Sequence, residues 1–217
     1  LIREAVGARA DLLFGTHGQF TTGGAIRMAQ AIEPYQPLWF EEPVPPDNVA
    51  SMAEVARATS ITVSTGERLT TKAEFADVLR AGAANILQPA LGRVGGIWEA
   101  KKIAAMAEVF NAQMAPHLYA GPIEWAANLH LCASIPNCLM AETIETDFHY
   151  DLIGGGIRVD QGYVAAPQGS GLGIDVDEDM ARAHPFDGEG LHLQMQEDAP
   201  SYDRPNLFGG GAPPKFD

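Results

Sequence analysis

The 217 residues carry 28 acidic against 14 basic side chains, a formal net charge of −14 and an isoelectric point near 4.7. That balance argues against nucleic acid and anionic membranes as partners, although a bound cation can invert the field locally and admit an anionic ligand. No apolar run approaches the ~20 residues of a membrane span and no secretory leader opens the chain; Cys132 and Cys138 lack metal-ligand spacing and read as buried free thiols in a reducing, cytoplasmic compartment.

The chain opens without a Met, inside LIREAVGARA, which reads as the tail of a helix and so as a piece of a longer protein. ADLLFG is a first strand ending near Gly15, followed by the loop THGQFTTGG and the helix AIRMAQAIEPY, stopped by Pro34 and Pro37. PLWFEEP is the second strand. PVPPDN turns into the helix VASMAEVARATS, with Asp47 or Asn48 as N-cap. ITVSTGE is the third strand, and TTKAEFADVLRAGA the next helix, capped by Thr71. ANILQPA is the fourth strand; LGRVGG, with Gly95 and Gly96 as tight-turn residues, leads into the helix IWEAKKIAAMAEVFN. AQMAPHLYA is the fifth strand, GPIEWAANLHLCASIP a helix and NCLMAETIE the sixth strand.

Strand starts near Asp11, Leu38, Ile61, Asn85, Gln113 and Cys138 recur at intervals of 23 to 28 residues. Such alternation predicts an α/β fold with a parallel sheet, and the continuous apolar strand runs fit a sheet covered on both faces. An incomplete (β/α)8 (TIM) barrel with six βα units in view accounts for the regularity better than a doubly wound sheet; the other two units belong upstream of Leu1. After Glu145 the pattern changes. Residues 1–145 are expected to be the barrel part, and 146–217 a return segment with short strand-like pieces and one short helix, then a tail running over the surface.

On such a fold, polar residues at the carboxyl ends of strands face the active side. Here these are Gly15 and His17, Glu41 and Glu42, Glu67, Gln88 and Ala90, His117 and Glu142. Glu41 and Glu67, 26 residues apart, stand one βα unit from each other, so both carboxylates point into one pocket and suit a hard divalent cation such as Mg²⁺. His117 is placed as a general base beside that cation. His17 reads as a general acid or a metal ligand, and Glu142 as a substrate or oxyanion contact. The other histidines, His130, His149, His184 and His192, lie on a helix or in the tail and read as structural.

At these residues, in LWFEEP, STGERL, ILQPALGRVGGI, APHLYAGP and MAETIE, the chain resembles the mandelate racemase and muconate lactonizing branch of the enolase superfamily, from Asp11 to Glu145 and more faintly to Phe186. Within it the chain is similar to galactonate-type acid-sugar dehydratases and to cycloisomerases of sugar-acid lactones or anhydro sugar acids. The resemblance implies a Mg²⁺ held by three carboxylates, abstraction of the proton α to a sugar-acid carboxylate through an enediolate, and dehydration to a 2-keto-3-deoxy acid. It assigns Glu41 and Glu67 to the metal, His117 to the base, Glu142 to the acid of the last strand and His17 to protonation of the leaving hydroxyl. It also implies a homo-oligomer, and a need for an upstream capping domain, the first two barrel strands and their lysine base.

Two positions depart from that pattern. Gly15 stands where the first metal-binding Asp is expected, and Ala90 where an Asp orients the base histidine. Three readings therefore stand side by side. The first is the dehydratase. The second is a cycloisomerase that opens a sugar-acid lactone or anhydro ring. The third is a non-catalytic relative that keeps the barrel.

Overall fold

The first five apolar runs of the repeat become short strands in a computed structural model of the protein, which describes residues 1–144 and 146–185. After a first helical turn, α1 (Ile2–Val6), come β1 (Leu13–Gly15), α2 (Thr22–Ile32), β2 (Trp39–Glu41), α3 (Val49–Arg57), β3 (Val63–Thr65), α4 (Lys72–Ala81), β4 (Ile86–Leu87), α5 (Leu91–Val94), α6 (Ile97–Val109), β5 (Gln113–Met114) and α7 (Pro122–Ala133). The strands form one sheet in chain order, β1-β2-β3-β4-β5, every neighbour parallel. Gly15 pairs with Glu41, Glu41 with Ser64, Thr65 with Leu87 and Leu87 with Met114. This register puts the carboxyl ends of all five strands along one rim. The arrangement is part of a (β/α)8 barrel.

The sixth strand is reduced to one bridge, Met114 with Cys138. Met114 donates its N–H to Asn137 O at 2.8 Å and accepts from Leu139 N at 2.8 Å. The next donor along β5 on that side would come from Pro116, which has no N–H, so the ladder stops there.

Successive strand residues alternate between two apolar environments, as pleating requires. Phe40, Val63, Leu87 and Met114 pack against the helices, together with Met52, Phe75 and Ile103. Trp39, Ile86 and Ala115 form a separate cluster with Leu38, Leu139 and Met140 on the concave side. Full burial of a side chain such as Phe40 or Phe75 contributes about 1.5–3 kcal/mol, so the helix-facing cluster, much the larger of the two, supplies most of the apolar stabilisation.

Local signals start the helices, at the expected Asn48 and Thr71 and at Thr21, which begins α2 within the stretch expected to be loop. Thr21 Oγ1 accepts from Gly24 N, Asn48 Oδ1 from Ser51 N, and Thr71 makes a full capping box with Glu74. α2 stops at Ile32 and continues as a 3-10 turn, Glu33–Tyr35, around Pro34. LGRVGG is more than a turn, because its first four residues form α5, with Ala90 as N-cap. Gly95 and Gly96 both take positive φ, as tight-turn residues.

Residues 1–178 form one compact unit, and the described residues 179–185 belong to a second. The return segment contributes α8 (Asp147–Leu152), capped by Thr146, and an antiparallel hairpin of β6 (Val159–Asp160) and β7 (Tyr163–Val164). Ile153 and Ile157 bury themselves against Leu118, Trp125 and Leu129. The short helix expected in this segment is α9, Glu178–Ala183. His192 and the tail from 186 lie outside the described residues. Among the described residues no helix is long and apolar enough to cross a membrane.

Glu33 ties the turn after α2 to the entry of β3. Its Oε1 accepts from Ser60 N at 2.7 Å, Thr59 Oγ1 at 2.7 Å and Ser60 Oγ at 3.1 Å. The Ser60 N–H first, then the Thr59 hydroxyl, hold its carboxyl below the usual range. A depressed carboxylate contributes stability above its unfolded pKa, about 4.3 for Glu, and that contribution disappears as pH falls through the folded value. Glu33→Gln is therefore expected to lower the melting temperature at neutral pH and to flatten its fall below about pH 4, as read from melting curves across pH. An acid limb identical in both proteins would clear Glu33 of that role.

Candidate active site

The carboxyl-terminal rim gathers the acids and imidazoles that the strand ends carry. Glu41 closes β2 and is half-buried; Gln88, just past β4, donates its Nε2 to Glu41 Oε2 at 2.8 Å. Glu67 follows β3 by two residues. Between them Gly66 takes φ +143°, and a Cβ there would lie 2.8 Å from the Gln88 backbone and from the Phe75 ring. The chain can pass this close to β4 only as glycine. His17, exposed, sits in the loop after β1 at φ +49°. Donor atoms of His17, Glu41 and Glu67 all lie within 4.8 Å of one another. Gly15 sits beside Glu41 in register, and a Cβ there would lie 3.9 Å from the Glu41 carboxyl carbon. The expected Asp position is therefore adjacent to the cluster but empty of donors, and His17, two residues on, reaches in instead.

The second histidine joins from the next strand but one. His117 Nδ1 donates to Glu142 Oε2 at 2.8 Å and lies 3.5 Å from Glu67 Oε2. Glu142 Oε2 also accepts the Leu118 N–H at 2.6 Å, while Asn128 on α7 donates to the His117 carbonyl at 3.1 Å. Glu142 is therefore occupied as the partner of the imidazole, although its side chain is 46% exposed. Ala90 provides no partner for His117. It lines a cavity of about 260 Å³ together with His117, Arg93 and Tyr119. A neighbouring cavity of about 360 Å³ is lined by Gly15, Trp39, Glu41, Gln88 and Glu142. A further cavity, about 730 Å³ and mostly apolar, lies over α5, α6 and α7 and includes none of these donors.

Burial raises the pKa of Glu41, the Gln88 hydrogen bond opposes that, and the charges of Glu67, Glu142 and Glu42 raise it further. Burial pulls His117 down, but the hydrogen bond to Glu142 and the charges of Glu142, Glu67 and Glu41 outweigh it and hold the imidazole above its ordinary value.

All five residues singled out from the sequence, His17, Glu41, Glu67, His117 and Glu142, fall on this rim. Gln88 was in view only as a strand-end residue, and its hydrogen bond to Glu41 depends on a pairing across β3 that spacing does not display. Arg68, Thr16 and Asn128 carried no signal beyond proximity to a motif. His130 bonds Leu172 O at 3.0 Å and His149 bonds Ile144 O at 3.1 Å, in keeping with structural roles.

Comparison with known proteins gives this rim a lineage. Residues 1–180 match the family model described as enolase C-terminal domain-like. The crystal structure of a mandelate racemase/muconate lactonizing enzyme-like protein from Roseovarius sp. TM1035 is 74% identical, with a TM-score of 0.87 over 91% of this chain and 50% of that one. Curated relatives include a D-xylonate dehydratase of Haloferax volcanii, 35% identical over 88% of this chain and 47% of that protein. A D-galactonate dehydratase of Ralstonia nicotianae is 37% identical over 82% of this chain and 48% of that protein. The chain thus spans about half the length of the curated relatives it matches. On the family match and the shared fold, the chain belongs to the enolase C-terminal domain-like family, in its mandelate racemase/muconate lactonizing branch.

Proposed function

We propose that the whole protein dehydrates a sugar acid to a 2-keto-3-deoxy acid. The observation that carries this reading is the meeting of the His17, Glu41 and Glu67 donors with the His117–Glu142 pair on one rim. Relatives named as D-xylonate and D-galactonate dehydratases support the substrate class and the reaction.

His17, Glu41 and Glu67 would hold a divalent cation, Mg²⁺ as is typical of the superfamily. The donor set fits one. Two carboxylates and an imidazole lie within one coordination sphere's reach, Glu41 is crowded by like charges that a cation relieves, and Gln88, which lines a cavity with Glu41, has its Oε1 buried without a hydrogen-bond partner. When bound, the cation supplies a Lewis acid for the substrate carboxylate and for the charge that grows next to it.

The proton chemistry falls to His117. Glu142 holds Nδ1–H and so leaves Nε2 as the base. Nε2 takes the proton from the carbon α to the carboxylate, the C–H pair becomes the C=C of an enol, and the bond to the β-hydroxyl breaks. The imidazolium returns its proton to the departing hydroxyl, which leaves as water, and the enol tautomerises to the 2-keto acid. In this reading Glu142 substitutes for the orienting aspartate that Ala90 lacks, and His17 for the carboxylate that Gly15 lacks.

The test is incubation of the full-length protein with Mg²⁺ and a panel of aldonates, aldarates and their lactones, assayed for 2-keto-3-deoxy products. The expected result is such a product from an open-chain acid. Consumption of a lactone or anhydro ring with no water released, and no turnover of open-chain acids, would replace the dehydratase by a cycloisomerase. Glu67→Gln is expected to weaken Mg²⁺ binding at least ~10-fold by calorimetry with the fold retained; unchanged affinity would remove Glu67 from the donor set. His117→Asn is expected to slow exchange of the substrate α-proton with deuterated solvent by ~10²–10⁴-fold, followed by NMR, and exchange at the normal rate would assign the base elsewhere.

A further inference from the structure

Glu42 follows Glu41 directly and is wholly inaccessible to solvent. A carboxylate is seldom buried so completely without a dedicated partner, and here the partner is Arg68, the residue directly after Glu67. Glu42 Oε2 accepts from Arg68 Nε at 2.7 Å and Nη2 at 2.5 Å, and Oε1 accepts the Thr65 hydroxyl at 3.1 Å. The backbone at Glu42 is left-handed, φ +38°, a conformation that a non-glycine residue keeps only where its surroundings enforce it. That turn aims the Glu42 carbonyl at the loop after β1, where it accepts from Gly18 N at 2.6 Å and Thr16 Oγ1 at 2.9 Å. Gly18 in turn packs on the guanidinium, since a Cβ there would lie 2.6 Å from Arg68 Nη2.

We propose that the Glu42–Arg68 pair is a positioning unit that sets His17, Glu41 and Glu67 at the spacing a single cation requires; the proposal rests on the reading of those three as its donors. Each donor is the chain neighbour of a member of this network. His17 lies between Thr16 and Gly18, Glu41 precedes Glu42 and Glu67 precedes Arg68. Three loops from three different strands are thus pinned to one ion pair, and none of the pinning atoms belongs to a donor side chain. Glu42 and Arg68 are positioning residues, not ligands.

A positioning role and a bare charge effect differ in sign. If the pair acted only through its field, Glu42→Gln would weaken cation binding by removing a negative charge, Arg68→Met would tighten it, and Arg68→Lys would leave it unchanged. As a positioning unit, all three weaken it, because lysine keeps the charge but cannot present the guanidinium's paired donors. The experiment is calorimetric titration of the full-length protein and the three variants with Mg²⁺ and with Mn²⁺, with melting curves as the control for folding. The expected result is a loss of affinity of about 10-fold or more in each folded variant, the range seen when a partner that orients a ligand is removed. Wild-type affinity in folded Arg68→Lys, or tighter binding in Arg68→Met, would overturn the proposal. If the charge variants fail to fold, Thr65→Val decides, since it removes only the hydroxyl on Glu42 Oε1; unchanged affinity there would overturn the proposal as well. No binding of either ion by the unsubstituted protein would instead overturn the cation reading of the site itself.

Discussion

Parallel register forces like charges together, and the rest of the site answers that constraint. The strand ends bring Glu41, Glu42, Glu67 and Glu142 close enough that three of them raise the pKa of the first. Two unit charges about 4 Å apart repel by about 4 kcal/mol at an effective dielectric near 20, a large part of the 5–15 kcal/mol that holds a domain folded. Such a cluster persists only with partners, and three of the four acids accept a side-chain hydrogen bond. Gln88 donates to Glu41, Arg68 to Glu42, and His117 Nδ1 to Glu142, with Glu67 close by. The hydrophobic layer between strands and helices supplies the rigidity against which this arrangement is held.

Gly15 and Ala90, where the resemblance led us to expect acids, each have a polar group one step away in the chain or across the sheet. The position of Gly15 lacks a donor, and the loop it begins brings His17 back to the same point. Ala90 gives His117 no acid from the fourth strand, and Glu142 arrives from the other side of the fifth. Pro116, which has no N–H, ends the β5 ladder on that side. Because the ladder ends there, the segment after Cys138 leaves the sheet's hydrogen-bond pattern, and Glu142 meets the Leu118 N–H with its side chain.

Much of this was legible in the sequence. Regular spacing of apolar runs indicated a parallel α/β repeat, and caps such as Asn48 and Thr71 carry their mechanism in a few adjacent residues. Strand-end position put His17, Glu41, Glu67, His117 and Glu142 among nine candidates for one rim, and the resemblance gave these five their expected roles. Spacing could not say which of these touch. That Glu142 bonds the imidazole, and that His17 joins the carboxylates, depends on loop paths set by left-handed residues at His17 and Glu42, and single-residue backbone choices of that kind leave little trace in composition. The sixth strand was overread for a related reason. NCLMAETIE has a strand's composition, but a proline on its neighbour decides how far it can pair.

In the proposed donor set, an imidazole in place of the carboxylate that the resemblance led us to expect would alter more than geometry. Neutral as a ligand, His17 leaves the proposed donor set with two formal negative charges instead of three, so a divalent ion there would be just balanced and not overcompensated. A centre of that valence repels an incoming anion less, holds a hard ion less tightly and is more accommodating to borderline metals than an all-oxygen cage. In that proposed site the glycine that ends β1 would bias the electrostatic character of the whole rim without contributing an atom to it.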